Sequence, residues 1–229
     1  MGLQRQICFQ ATDATEAEDI RAIFGSAAAV VQLSNFPALP EKQMPVKPNP
    51  NPVTKVLFVG RIHPIKGLLH ALQALQHIIR PTEFTIIGPL EDTGYWKTCE
   101  AAIRQLPSNI TVRYAGEQPP HEVKAALQSH HFFLLPTQGE NFGHAIFEAL
   151  ATGTPVIISD QTPWRGLKEH KAGWDISLSE PLAWKAALHQ ASAMANDEYE
   201  AWSTAAHRFA KAYLARQDLV ASYKRLFFD

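Results

Sequence analysis

Four short apolar runs, Val56–Val59, Phe84–Ile87, Phe132–Leu135 and Pro155–Ile158, constrain the fold of this chain more than any other feature. None alternates apolar with polar residues as a strand with one wet face would, so each must be covered on both sides. Helix-like stretches separate them, and strands covered on both faces with helices between them require a parallel sheet. The spacing predicts strands at Lys55–Val59, Glu83–Ile87, Ile110–Tyr114, His131–Leu135 and Pro155–Ser159, with a short strand at Trp174–Ile176. Helices are predicted over Gly67–Ile79, Tyr95–Leu106, His121–Ser129 and Gly143–Thr152. The fold class is therefore α/β, a Rossmann-like doubly wound parallel sheet. From Pro181 onward the pattern is helical, ending in Asp197–Leu214 and Asp218–Leu226, with Trp202, Phe209, Tyr213, Tyr223 and Phe227 expected to face the core.

Six of the sixteen prolines fall between Pro37 and Pro52, a density that forbids helix and marks 37–52 as a linker. Three regions follow: 1–36, the linker, and 53–229. In the first, Ile7–Gln10 and Ala29–Leu33 read as strands, and Asp13 with Glu16 forms a capping pattern that opens a helix to about Phe24. Two strands and one helix cannot build a sheet covered on both faces. This piece either packs on the main domain or is the tail of another one.

Charge excludes several classes of function. Lys and Arg number 21 against 22 Asp and Glu, a net charge of −1, which leaves no basic excess for nucleic acid or an anionic membrane. No run approaches the length of a membrane-spanning helix, and the N-terminus has no signal-peptide core. The two cysteines, Cys8 and Cys99, suit a reduced compartment, and a cytoplasmic location is the expectation. His121, His130 and His131 lack metal-ligand spacing with cysteines or carboxylates, so no metal site is expected.

Ligands of open parallel sheets bind beyond the carboxyl ends of the strands. Two loops there carry chemistry. The first, Gly60-Arg61-Ile62-His63-Pro64-Ile65-Lys66-Gly67, sets two cations between two glycines. Arg61 and Lys66 suit a diphosphate, although exposed basic loop residues also have this look. Neither a Walker A loop nor a Gly-x-Gly-x-x-Gly turn is present. The second loop runs from Pro136 through Glu140, Asn141, Phe142, Gly143 and His144 into a helix that carries Glu148. The free N–H groups of its first turn form an anion site, and Glu148 lies roughly 7.5 Å further along the axis from Gly143. Hydroxyls, then diphosphate, then more hydroxyls would meet Glu140, the helix start with the two cations, and Glu148 in turn. A nucleotide sugar has that layout. Glu148 is alternatively a solvated helix residue, and His144 serves either the ligand or local packing.

Together, VLFVGRIHPIKG and GENFGHAIFEALATGTPVIISDQTPW resemble the carboxyl-terminal donor-binding domain of retaining GT-B glycosyltransferases, most closely glycosyltransferase family 4, over about residues 53–229. The resemblance implies that Arg61 and Lys66 hold the donor diphosphate and Glu140 the sugar hydroxyls. Gly60 and the backbone of Asn141, Phe142, Gly143 and His144 would cradle sugar and phosphate, and Glu148 would take the ribose. The base would rest on loops at Gly88 and Ala115. It further implies front-side attack in which the leaving phosphate accepts the acceptor's proton, with no cofactor and no metal. Residues 1–36 would be the remnant of an otherwise missing amino-terminal acceptor domain. Exposed apolar surface there and on the last helix would invite self-association, and this chain alone would bind donor without transferring sugar. The alternative from another class is a non-catalytic nucleotide-sugar-binding module. A GT-B epimerase or phosphorylase half is a third.

Overall fold

The computed structural model describes residues 7–11, 14–33 and 53–216. The linker at 37–52, Asp13, and the helix expected at Asp218–Leu226 with Tyr223 and Phe227 lie outside these residues. The first described unit is a small βαβ: β1 (Cys8–Ala11) and β2 (Ala29–Gln32) pair in parallel, joined by α1 (Ala14–Phe24). Phe9 stacks on Phe24 at 4.6 Å, while Ile7, Ile23 and Phe24 remain exposed. With only two strands, this sheet has little apolar area to bury.

The second unit alternates strand and helix as far as its fifth strand. It contains β3 (Thr54–Val59), α2 (Leu68–Leu75), β4 (Thr82–Ile87), α3 (Thr93–Ile103), β5 (Ile110–Tyr114), α4 (Pro120–Ser129) and β6 (Phe132–Leu135). It continues with α5 (His144–Ala151), β7 (Val156–Ser159), β8 (Gly173–Ile176), α6 (Pro181–Ala193) and α7 (Asn196–Arg216). The six strands form one sheet, parallel throughout, in the order β5-β4-β3-β6-β7-β8. All residues of β6 and β7 are buried, as their continuous apolar sequences require.

The helices fall into two packed sets. α2 packs with α3 and α6, whereas α5 packs with α4 and α7. Buried polar groups fasten the last helix to the sheet: the Tyr199 hydroxyl donates to the His131 carbonyl at 3.1 Å and the Ser203 hydroxyl to the Gly153 carbonyl at 2.6 Å. His130 and His131 are structural here. His131 Nδ1 accepts from the Lys55 N–H at 2.8 Å, and His130 Nε2 lies 2.9 Å from the Thr85 hydroxyl. Trp202 is buried as expected, with Phe209 and Tyr213 half-buried against the same core.

The described helices keep their expected places with small shifts at the ends, α3 closing at Ile103 rather than Leu106, but α2 is markedly shorter than its sequence predicts. α2 stops at Leu75 rather than Ile79, because bonds from His77 N–H to Ala74 and from Ile78 N–H to Leu75 tighten the last turn and bury Ile78. His189 of α6 then bonds the His77 carbonyl at 2.7 Å. Pro81 already bars the preceding residue from helical backbone.

Burial separates the two cysteines. Cys99 is fully buried on α3 and its thiol is pushed up to about 11 by desolvation, whereas Cys8 is exposed. Because the thiolate is the reactive form, a thiol reagent at pH 8 should label Cys8 rapidly and Cys99 only after denaturant is added. Peptide mass mapping of the labelled protein reads this directly.

Candidate functional site

β3 and β6 are neighbours in the sheet although three helices and two strands separate them in sequence. The chain winds outward one way from β3 through β4 and β5, and the other way from β6 through β7 and β8. In open α/β sheets ligands bind where this direction reverses, and here the loops after β3 and β6 meet at that point. These are the two loops that carry the sequence candidates.

The loops are stitched together. Gln138 N–H donates to the Ile65 carbonyl at 2.7 Å, and the Thr137 hydroxyl lies 3.0 Å from the same oxygen. The β3 loop closes in a 3-10 turn, Pro64–Lys66, capped by the His63 side chain, which accepts from Ile65 N–H at 3.3 Å. Tyr95 of α3 fixes the following helix, its hydroxyl oxygen accepting from Leu69 N–H at 2.8 Å; burial pushes that hydroxyl up to about 12.

Both cations are paired, each with its own carboxylate. Lys66 Nζ donates to Glu140 Oε1 at 2.5 Å, and both side chains are largely shielded, at 17% and 15% exposure. Arg61 Nη1 lies 2.8 Å from both carboxylate oxygens of Glu91, but this pair is open to solvent at 53% and 41%. The structure therefore brings Lys66 and Glu140 into contact across 74 residues and adds Glu91, which the sequence did not single out.

Glycine is required at three positions on this rim: Gly67, at φ 72°, where a Cβ would collide with the Pro136 carbonyl, and Gly88 and Gly143. Gly88 has φ 147°, and a Cβ there would collide with the Gly60 carbonyl, so the β3 and β4 loops approach through bare backbone. A Cβ on Gly60 itself would meet only ordinary contacts. Gly143, at φ 79° and ψ 63°, caps the start of α5, where a Cβ would press on Ile146. Asn141 and His144 are exposed beside it, while Phe142 is buried.

Glu148 sits on the second turn of α5. Its side chain reaches solvent, yet the protein around it desolvates the carboxyl and pushes its pKa upward, partly offset by the charge of His144. Among the described residues it forms no ion pair with Arg61 or Lys66. On the β4–β5 side, Gly88 N–H donates to the Gly116 carbonyl at 2.9 Å, and the Tyr114 hydroxyl donates to the Gly88 carbonyl at 2.9 Å. Ala115 has both backbone groups engaged, by Ile86 at 2.9 Å and by the Gln118 side chain at 2.6 Å. These loops offer ligands mainly the second lone pairs of their carbonyls.

Sequence reasoning missed Trp164. Its indole N–H donates to the Phe142 carbonyl at 2.6 Å, next to the α5 cap. The available signal was a large aromatic residue set among turn-formers in Gln161-Thr162-Pro163-Trp164. Among the described residues, no group of three or more His, Cys, Asp or Glu is placed to hold a metal ion, and no helix is long and apolar enough to cross a membrane.

A six-stranded parallel sheet flanked by helices is the Rossmann-like architecture of the GT-B class. Residues 40–209 match the family described as glycosyl transferases group 1, and the chain belongs to that family. It is 33% identical over 144 residues to the D-inositol 3-phosphate glycosyltransferase of Corynebacterium urealyticum, a match covering 58% of this chain and 33% of that protein. Matches to the curated relatives thus span about a third of their length. Among solved structures, a mutant of Staphylococcus aureus TarM in complex with fondaparinux, alpha-GlcNAc-glycerol and UDP superposes with a TM-score of 0.73 at 16% identity, covering 96% of this chain and 43% of that one. Anabaena HepE in complex with UDP and glucose gives 0.63 at 16% identity, covering 98% and 54%.

The two ion pairs differ in what their loss should do. Removing Glu140 strands a shielded ammonium, whereas removing Glu91 leaves an exposed guanidinium in water. Urea denaturation should show Glu140→Ala losing about 2–3 kcal/mol and Glu91→Ala less than about 0.5 kcal/mol.

Proposed function

We propose that this chain carries the donor-binding part of a retaining, family 4 glycosyltransferase that moves a sugar from a nucleoside-diphosphate sugar to an acceptor. The observation that carries the proposal is the meeting of Lys66, Glu140 and the α5 start at the switch point of the sheet. Family membership and the resemblance of the Glu140–Glu148 motif support it, as do the UDP complexes of TarM and HepE among proteins of the same fold. In this reading residues 53–216 hold the donor and 1–36 belong to a second, acceptor-binding domain.

The chemistry follows from where charge appears. As the bond from the sugar's anomeric carbon to the diphosphate oxygen breaks, negative charge gathers on the leaving phosphate. Arg61, Lys66 and the N–H groups at the α5 start meet that charge, the cations having left Glu91 and Glu140 as the donor binds, so that they need not reorganise while the bond breaks. Lys66 turns from Glu140 to the phosphate, which frees the Glu140 carboxylate to accept from sugar hydroxyls. Glu148 accepts from the ribose hydroxyls, the bare backbone at Gly60 lets the sugar-phosphate approach closely, and the base lies over Gly88 and Ala115. For retention, the acceptor hydroxyl attacks the same face from which the diphosphate departs and passes its proton to a leaving phosphate oxygen. Charge neutralisation in this scheme comes from the protein, with neither metal nor cofactor.

Calorimetric titration with UDP-, GDP- and ADP-sugars tests the proposal; failure to bind any of them would remove it. With a donor that binds, Arg61→Ala and Lys66→Ala should each weaken affinity about thirtyfold, the equivalent of about 2 kcal/mol for a charged hydrogen bond to phosphate.

Glu148 adds a pH dependence. Only the ionised carboxylate accepts from both ribose hydroxyls, and burial raises its pKa. Nucleotide affinity should fall as the pH drops, beginning above the ordinary glutamate range. Glu148→Gln should bind more weakly at neutral pH and lose that part of the pH profile.

A further inference from the structure

The segment after β7 grips the loop after β6 at three points. The Ser159 hydroxyl donates to the Thr137 carbonyl at 2.5 Å, Glu140 N–H donates to the Gln161 carbonyl at 3.1 Å, and Trp164 Nε1 donates to the Phe142 carbonyl at 2.6 Å. At the third point both residues are buried, Trp164 at 2% exposure and Phe142 at 4%. The indole has little freedom. Its ring lies 4.6 Å from Tyr213, 5.5 Å from Phe142 and 6.0 Å from Phe147, and the Arg165 guanidinium bonds the carbonyls of Trp164 and Asp160.

A trans peptide points its C=O and its N–H to opposite sides. With the Phe142 carbonyl held on the buried indole, the N–H of Gly143 in that same peptide points away from it, at the cap of α5. Gly143 has left-handed backbone and no Cβ, so little steric resistance keeps the flanking peptide from turning over. Turned over, the peptide would present an oxygen where the N–H stands and repel an anion.

We propose that Trp164 is a positioning residue: its indole N–H locks the Phe142–Gly143 peptide so that the Gly143 N–H serves the diphosphate of the donor. This rests on the donor site proposed above. Trp164 itself touches no ligand and acts only through the peptide it fixes. Phenylalanine at this position keeps an aromatic ring in the cluster and deletes the hydrogen bond.

The test uses isotope-labelled protein titrated with UDP, GDP and ADP and, in parallel, with uridine, guanosine and adenosine. In the parent protein the Gly143 amide resonance should move with a diphosphate that binds and stay still with its nucleoside. Trp164→Phe should bind that diphosphate five- to twentyfold more weakly while its nucleoside affinity stays within twofold of the parent, a split that general loosening of the fold would not produce. If no diphosphate binds the parent, the donor-site reading fails and takes this inference with it. If one binds but the Gly143 amide does not respond, or a folded Trp164→Phe binds it within twofold of the parent, the lock is overturned and the donor site stands. Should Trp164→Phe not fold, the parent Gly143 response decides.

Discussion

Parallel strands all end at the same side of a sheet, so every loop that leaves them competes for one rim. The order β5-β4-β3-β6-β7-β8 sends the chain away from β3 in one direction and from β6 in the other, leaving those two strand ends side by side with no helix crossing between them. The proposed donor site depends on that reversal. It lets Ile65 and Gln138 share a backbone hydrogen bond and brings Lys66 within 2.5 Å of Glu140. A different strand order with the same elements would scatter these residues around the rim.

The electrostatics of the rim are graded rather than simply positive. Lys66 and Glu140 are shielded and hold each other, whereas Arg61 and Glu91 meet in solvent, where screening leaves little net attraction. An anion arriving at the α5 start therefore finds one cation cheaply displaced and another that must leave a strong partner. In the proposed donor site an exchange at Lys66 would also release a carboxylate suited to hydroxyls, linking charge recognition to sugar recognition through one contact. Glu148, further along α5 on desolvating ground, is set apart from this exchange.

Positioning of the site comes from behind it. The segment 159–164 supplies a hydroxyl, a carbonyl and an indole N–H to successive points of the 137–142 loop, each group placed by the exit of β7. α7 completes the support through Tyr213, packed on Trp164, so a helix remote in sequence backs the loop that would meet the ligand. Tyr95 does the same for the β3 loop by fixing the start of α2.

The sequence by itself determined the elements and the chemistry of the two loops. Continuous apolar runs have few ways to be buried, and Gly60, Arg61, Lys66, Glu140 and Glu148 stand out by type and spacing, with the roles proposed for them supplied by family resemblance. Helix ends were less legible. α2 stops early as its last turn tightens and a histidine from α6 binds the His77 carbonyl; Pro81 signals that the helix must end before β4 but not at which residue, and the α6 contact has no local signal. Only the tertiary structure decided the pairing of Lys66 with Glu140, the occupation of Arg61 by Glu91 and the engagement of Ala115. It alone revealed Trp164 beneath the helix cap. Each of these joins residues from separate β–α units, and such contacts follow from strand order and sheet register, which local propensity and periodicity do not encode.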